Sequence, residues 1–178
     1  METKNGSWTI KNRTKKFTNG YFAVFEDDVI RPDGKPDTYA TIRFLPGIAV
    51  LAIDDDRNIY LTQQFRYALE RKNIEAVCGA IDGETPLDAA KRELKEELGI
   101  EAKEWASLGK IQTDTSITNS TSHLFLAEKL SFGDAKREPT ETIKTVKMPL
   151  REAVEKVNSG EITNGPTCVL ILKAASLQ

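Results

Sequence analysis

The sequence predicts a fold of the α/β (α+β) class, in which a mixed sheet and helices pack as a sandwich. Segments rich in aromatic and β-branched residues, separated by Gly, Pro and Asp, dominate the first 80 residues and predict strands. A charged segment at 86–98 has the periodicity of an amphipathic helix. Two further helical patterns follow residue 148, and mixed strands with three helices imply a sandwich.

Length and charge fit one globular domain, or one domain with a small accessory lobe. The chain has 178 residues, of which 39% are hydrophobic and 29% charged, and its formal net charge is −2. Proteins that bind nucleic acid are usually basic, so we expect no nucleic-acid partner. A small anionic substrate is compatible with this charge if metal ions neutralise part of it.

Cysteine and histidine content argues against two further kinds of site. Cys78 and Cys168 are too few for a disulfide framework, and His123 is the one histidine, which argues against a zinc site of Cys and His. The N-terminus has no apolar signal-peptide core, and no apolar run approaches the roughly 20 residues that span a bilayer. We therefore expect a cytoplasmic protein with reduced cysteines and no membrane partner.

Strand patterns precede the charged helix. The segments YFAVFEDDVIR and TYATIRFL flank the turn RPDGKPDT, so residues 21–45 predict a β-hairpin. GIAVLAID is a continuous apolar run, typical of a buried strand, and IYLTQQFRYAL alternates as a strand does. NIEAVCGAIDG predicts a short strand followed by a loop.

After the charged helix, strands are predicted at about 105–113 and 122–128, followed by a polar loop over 131–142. IKTVKM is a further strand. PLREAVEKVNSG begins with Pro and ends with Gly, which predicts a helix. GPTCVLILKAAS is a final helix or buried segment. The chain shows no internal repeat and no low-complexity tract.

The charged helix has one apolar face and a flank of acids. Pro86 suits its first turn and Gly99 its end. At about 100° per residue, a buried stripe is formed by Leu87, Ala90, Leu94 and Leu98. Glu93 and Glu97 lie together on one flank of this stripe, next to the core, and Arg92 lies on its other side.

These acids have two interpretations, a solvated helix face or a cation site. Glu93, Glu96 and Glu97 are like charges at i,i+3 and i,i+4 spacing, which repel by about 0.2–0.5 kcal/mol per pair. The preceding loop CGAIDGE contains glycines that can bring backbone carbonyls close. Carboxylates and a carbonyl together make an all-oxygen site for a hard cation such as Mg²⁺ or Mn²⁺.

The segment GETPLDAAKRELKEELGI resembles the Nudix box, whose pattern is G-x5-E-x7-R-E-U-x-E-E-x-G-U with U a bulky aliphatic residue. Every fixed position from Glu84 onward matches, through Arg92 to Gly99 and Ile100. The departure is at the front, where Cys78 stands at the position of the first glycine and the nearest glycine is Gly79. Either the loop is one residue shorter or the glycine is replaced.

Flanking residues are similar to the ADP-ribose and nucleoside diphosphate sugar pyrophosphatase branch of the family. That branch has Q-x-R before the box, matched here by Gln64 and Arg66, and E-x-P-A-G at the loop. Glu75 and Gly79 match the second motif, with Val and Cys in place of Pro and Ala. The C-terminal MPLREAVEKVNSGEIT is also similar to this branch, so the resemblance covers most of the chain.

The resemblance implies a Nudix α/β/α sandwich with a mixed sheet over residues 46–178 and an N-terminal β-lobe over residues 1–45. In that branch the lobe mediates a homodimer, often with exchange between subunits. The implied activity is Mg²⁺-dependent hydrolysis of a nucleoside diphosphate sugar, such as ADP-ribose, to a nucleoside monophosphate and a sugar phosphate. The alternatives are a house-cleaning nucleoside triphosphate pyrophosphatase and a non-catalytic, nucleotide-sensing Nudix domain.

The resemblance also implies roles for individual residues. The metal (Mg²⁺ or Mn²⁺) would be held by Glu93, Glu97, Glu96 and the backbone carbonyl of Cys78. The substrate would be bound by Arg66, Gln64 and Glu75, and the acids would be supported by Arg92 and Glu84. The candidates for activating water are Glu141, Glu138, Glu96 and Glu97. Among these we expect Glu141, which precedes the strand IKTVKM, to be favoured over Glu138.

Overall fold

A computed structural model describes residues 2–136 and 142–177 of the chain. The chain divides into two compact units. The first unit comprises Met1–Leu45 and Gln112–Ser120. The second comprises Pro46–Ile111 and Thr121–Gln178.

The first unit is an antiparallel sheet whose strands follow one another in chain order. They are β1 (Thr3–Asn5), β2 (Trp8–Thr18), β3 (Phe22–Ile30) and β4 (Pro36–Phe44). The pairing of β3 with β4 confirms the hairpin predicted over 21–45. Its turn contains Gly34 at φ +82°, a conformation that glycine adopts without steric cost. The hydroxyl of Tyr39 donates a hydrogen bond to the carbonyl of Ser116 at 2.6 Å.

The second unit is a mixed sheet with helices. Its strands are β5 (Gly47–Ile53), β6 (Asn58–Arg66), β7 (Arg71–Glu75), β8 (Val77–Ala80), β9 (Ile100–Gln112), β10 (Thr121–Phe132) and β11 (Lys144–Pro149). Its helices are α1 (Pro86–Leu98), α2 (Leu150–Asn158) and α3 (Gly165–Ser176). The main strand order is β11-β6-β5-β10-β9, with β7 beside β6 and β8 beside β5. β5 is parallel to β10 and antiparallel to β6, so the predicted mixed sheet is confirmed.

Alternate residues of β5 point to opposite faces of the sheet and enter two separate cores. One core joins α1 to Ile48, Val50 and Ala52. The other joins α2 and α3 to Ala49, Leu51 and Ile53. A strand buried on both faces needs apolar residues at every position, which is why GIAVLAID reads as a continuous apolar run. The predicted α/β/α sandwich is confirmed.

The observed elements differ from the predicted ones at several ends. β6 ends at Arg66, and a 3₁₀ helix follows over Tyr67–Leu69, closed by Glu70 at φ +53°. β9 begins at Ile100 rather than near 105, directly after α1. β10 extends to Phe132, so the first residues of the polar loop predicted over 131–142 belong to a strand. Within the described ranges, no helix is long and apolar enough to cross a membrane.

Candidate active site

Helix α1 is fixed at both ends by local capping. The side chain of Thr85 accepts a hydrogen bond from the Asp88 backbone N–H at 3.2 Å and donates one to its carboxylate at 2.7 Å. Gly99 ends the helix at φ +65°, and its N–H bonds to the carbonyls of Leu94 and Lys95. The predicted helix over 86–98 is therefore confirmed.

One carboxylate of α1 lies within its buried face. The buried residues are Ala89, Ala90, Leu94, Glu97 and Leu98, while Leu87 is only half-buried. Glu97 is 5% exposed, so its carboxylate is largely removed from water. The predicted stripe is thus displaced towards Ala89 and the acidic flank, because the helix packs on the sheet through a wider face.

Arg92 gathers three carboxylates of the box around one guanidinium. Its Nη1 donates to Glu93 Oε1 at 2.8 Å and to Glu96 Oε2 at 2.9 Å. Its Nη2 donates to Glu84 Oε1 at 2.7 Å and lies 3.4 Å from the carbonyl oxygen of Ala80. Hydrogen bonding to Glu84, and then to Glu93, raises the pKa of Arg92, so the side chain is always charged. Charges that would repel along the helix are held together by their common partner.

Gly79 lies directly against the side chain of Glu93. A Cβ atom at position 79 would stand 2.2 Å from Cδ of Glu93, closer than any real contact. The position that must lack a side chain is therefore Gly79 and not Cys78. Four residues, 80–83, then separate Gly79 from Glu84, which favours the shorter spacing of the two alternatives left open by the sequence.

Cys78 lies among the acids of the site. Burial raises the pKa of its thiol, and the charges of Glu75 and Glu97 raise it further, so the thiol is neutral near pH 7. A neutral thiol is a poor metal ligand. β8 pairs with β5 through Cys78 and Ala49, which sets the course of the backbone at the site.

Arg66 is held by a buried carboxylate at the end of β6. Its Nη2 and Nε both bond to Glu75, the Nε at 3.1 Å from each carboxylate oxygen. Glu75 is 2% exposed and also accepts a hydrogen bond from Nδ2 of Asn73 at 2.8 Å. Hydrogen bonding to Glu75 raises the pKa of Arg66. Glu75 therefore orients Arg66, whose side chain is 39% exposed, and Asn73 orients Glu75.

Comparison with known protein families matches the NUDIX domain to residues 43–165, more than half of the chain. The chain belongs to the Nudix family. The prediction made from the box is thereby confirmed.

Several curated proteins are similar to this chain over most of their length. The ADP-ribose pyrophosphatase of Bacillus subtilis (strain 168) is 32% identical over 158 residues, covering 87% of this chain and 85% of the relative. That of Mycobacterium tuberculosis is 32% identical, covering 88% and 77%. The GDP-mannose pyrophosphatase of Cronobacter sakazakii is 30% identical, covering 70% and 71%. A crystal structure of an ADP compounds hydrolase has the same fold, with a TM-score of 0.84, 22% identity and coverage of 98% and 96%.

The donor set of the Nudix box fits a hard divalent cation. Carboxylate oxygens of three glutamates meet at Arg92, and Glu97 adds a fourth carboxylate in the buried face. In the described ranges no group of three or more His, Cys, Asp or Glu side chains is arranged to hold a metal ion. Glu84, Glu93 and Glu96 are instead paired with Arg92. All these donors are oxygens, the ligands that Mg²⁺ and Mn²⁺ prefer.

The remaining residues considered in the sequence analysis are Gln64, His123, Glu138 and Glu141. Gln64 is half-buried in β6, opposite Asn73 of β7. His123 is a strand residue of β10, in register with Ile48. Glu138 and Glu141 lie outside the described residues.

Sequence reasoning missed the residues that hold the backbone of the Nudix site. Thr167 of α3 is fully buried, and its hydroxyl accepts a hydrogen bond from the Ala76 N–H at 2.9 Å. The hydroxyl of Thr62 donates to the carbonyl of Glu75 at 3.2 Å. Asn73 was missed as well, although it stands two residues before Glu75 in one strand and therefore on the same face of the sheet. Thr167 carried no comparable signal, because it is distant along the chain.

Proposed function

We propose that this protein hydrolyses the pyrophosphate of a nucleoside diphosphate sugar, such as ADP-ribose, to a nucleoside monophosphate and a sugar phosphate. The observation that carries the proposal is the gathering of three box carboxylates at Arg92, with a fourth carboxylate, that of Glu97, buried on the same helix. The substrate class is supported by the relatives that are pyrophosphatases of ADP-ribose and GDP-mannose.

The reaction depends on Mg²⁺ or Mn²⁺, which Glu93, Glu96, Glu97 and the Cys78 carbonyl would hold. When bound there, a divalent ion neutralises the pyrophosphate and lowers the pKa of a bound water. The chain's own contribution is orientation. Arg92 holds Glu93 and Glu96 in place, and Glu84 holds Arg92 from its other side.

Arg66 binds a phosphate of the substrate, with Gln64 nearby on the same strand. The planar guanidinium suits phosphate oxygens, and Glu75 fixes its direction before substrate arrives. Glu75 thus serves substrate binding through Arg66.

Among acids outside the box, Glu141 is the favoured base for activating water and Glu138 is the second candidate. Within the box, the candidates are Glu96 and Glu97.

We further propose that the protein is a cytoplasmic homodimer that acts on small molecules. Its free cysteines, Cys78 and Cys168, suit a reducing compartment. Residues 1–45 form the dimerisation lobe and residues 46–178 the Nudix domain. The first unit presents exposed aromatic side chains at Phe17, Tyr21 and Phe44, which suit a contact with a second copy.

Removal of the metal or of Glu97 tests the proposal. A chelator should abolish hydrolysis, and Glu97→Gln should lower kcat by at least about a hundredfold, since a metal ligand or base is lost. Glu104→Gln, an exposed glutamate of β9, is the matched control and should keep full activity. Near-normal turnover by Glu97→Gln would reject the metal assignment, and an inactive wild type that still binds nucleotide sugars would favour a sensing domain.

A further inference from the structure

The residues that follow β10 lie along the C-terminal end of α1. The N–H of Gly133 donates to the carbonyl of Gly99 at 2.8 Å, and the N–H of Lys136 donates to the carbonyl of Glu96 at 2.9 Å. Both bonds join backbone to backbone, so they do not depend on any side chain. We call residues 133–136 the bracing segment.

The bracing segment satisfies a helix carbonyl that has no partner within the helix. The last four carbonyls of an α-helix lack intrahelical donors, and a capping glycine satisfies only some of them. In α1 the N–H of Gly99 serves Leu94 and Lys95, whereas the carbonyl of Glu96 is served by Lys136. Glu96 is thus held at two points, its carboxylate by Arg92 and its main chain by the bracing segment.

The bracing segment passes so close to Gly99 that no other residue would fit at this position. A Cβ atom at position 99 would stand 2.3 Å from the carbonyl oxygen of Gly133 and 2.8 Å from the backbone nitrogen of Ala135. These obstacles are backbone atoms, which cannot swing aside as a side chain can. Gly99 is therefore required twice, for its left-handed conformation and for the approach of the bracing segment.

We propose that the bracing segment is a positioning element for the acidic site. It fixes the last turn of α1, which carries Glu96 and Glu97, and so sets the backbone positions from which their carboxylates would bind a divalent ion. The inference rests on the proposed function for the identity of that ion. Residues 133–136 act through the helix and do not themselves bind metal or substrate.

Two substitutions of one residue separate the backbone bond from the side chain. Lys136→Pro removes the N–H that serves Glu96, whereas Lys136→Ala keeps the N–H and removes only an exposed side chain. Binding of Mn²⁺ to the full chain, measured by calorimetry without substrate, should weaken at least about tenfold in Lys136→Pro. Lys136→Ala should stay within about twofold of the wild type. With substrate, kcat should fall in Lys136→Pro while KM changes little.

A pair of glycine substitutions tests the same contact independently. Gly99→Ala incurs both the left-handed strain and the collision with the bracing segment. Gly160→Ala, after α2, incurs the strain alone, because Gly160 has φ +76° and nothing within 4 Å of a Cβ. Mn²⁺ affinity should fall in Gly99→Ala and stay unchanged in Gly160→Ala. If Lys136→Pro does not fold, this second pair decides.

Equal Mn²⁺ affinity in Lys136→Pro, Lys136→Ala and the wild type would overturn the inference. So would a wild type that binds no Mn²⁺, or equal affinities in the two glycine variants. A wild type that binds Mn²⁺ but hydrolyses no nucleotide sugar would instead reject the proposed function. In that case the calorimetric comparison still decides whether residues 133–136 position the acids.

Discussion

Arg92 explains how one helix carries so many acids close together. Glu93 and Glu96 would repel each other along α1, at about 0.2–0.5 kcal/mol for such a pair, yet both are bonded to the same guanidinium. A helical wheel places Arg92 on the opposite side of the apolar stripe from Glu93 and Glu97. The wheel shows only the directions of the Cβ atoms, and the Arg92 side chain is long enough to reach Glu93. The gathering of the acids is therefore a property of one residue's length and fork geometry.

Alanine substitution should have opposite effects on activity at two adjacent positions, Cys78 and Gly79. Cys78→Ala keeps the backbone course of β8 and should keep most activity, since the neutral thiol plays no part. Gly79→Ala forces Glu93 to move, because the added Cβ would stand 2.2 Å from its carboxyl carbon. We expect kcat in Gly79→Ala to fall at least about tenfold, as for a displaced metal ligand.

Steady-state kinetics of the two variants, with circular dichroism to verify folding, checks this pair. Loss of activity in a folded Cys78→Ala variant would show that the thiol is needed. Full activity in Gly79→Ala would show that Glu93 can move without consequence, and the metal assignment of Glu93 would then be wrong.

At the scale of elements, sequence signals located α1 better than the end of β6. Pro86 and Gly99 mark the helix by chemistry that acts locally, so its bounds were predictable. The 3₁₀ turn after Arg66 ends at Glu70, which has a left-handed backbone conformation. Glycine usually marks such a position in a sequence, and here there is none. The pairing of β8 with β5 and of β7 with β6 also depends on tertiary packing. No local sequence pattern predicts these partners.

Asp54 links the turn between β5 and β6 to β11. Its carboxylate accepts hydrogen bonds from Lys147 at 2.9 Å and from Tyr60 at 3.0 Å, and from the Asn58 backbone at 2.8 Å. Burial raises the pKa of Asp54, but the hydrogen bonds from Lys147, Asn58 and Tyr60 outweigh it and lower the pKa from 3.8 to about 2. A carboxylate with a lowered pKa stabilises the fold above about pH 4, and this stabilisation is lost as the pH falls towards 2.

The pH dependence of unfolding should reveal this network. Between pH 5 and pH 3 the wild type should lose about 1 kcal/mol more unfolding free energy than Asp54→Asn, which has no carboxylate to protonate. Urea denaturation at the two pH values measures the difference. Asp55→Asn, at an exposed neighbour that pairs with Lys129 and not with this network, is the control for the loss of one carboxylate. Equal losses in Asp54→Asn and the wild type would mean that the network does not hold the fold.

At the scale of the whole molecule, the dimer is still a prediction. Three aromatic rings of the first unit form a row, with Phe22 5.6 Å from Phe17 and 5.5 Å from Phe44 between centroids. Phe17 and Phe44 are 52% and 41% exposed, which suits an interface. Light scattering at micromolar concentration should give twice the chain mass, and Phe17→Ser with Phe44→Ser should lower it. A monomeric wild type would reject the homodimer.

The candidate site as a whole was only partly predictable. The box fixed Glu84, Arg92 and the helix acids, because their spacing is local. The bracing segment belongs to the polar loop that the sequence predicts, but its contact with α1 was not predictable, because the bonds join residues more than 30 positions apart. Sequence spacing does not reveal such a contact. The structure reveals it, because the bracing segment approaches Gly99 so closely that a Cβ atom there would collide with it.

Product analysis is the decisive test of whether this protein hydrolyses a nucleotide sugar. Purified wild type should be incubated with Mg²⁺ and, separately, ADP-ribose, GDP-mannose and a nucleoside triphosphate, with products separated by anion-exchange chromatography. We expect a nucleoside monophosphate and a sugar phosphate in equal amounts from at least one nucleotide sugar, and neither product when the metal is chelated. Faster release of pyrophosphate from the triphosphate, or no cleavage of either nucleotide sugar, would contradict it.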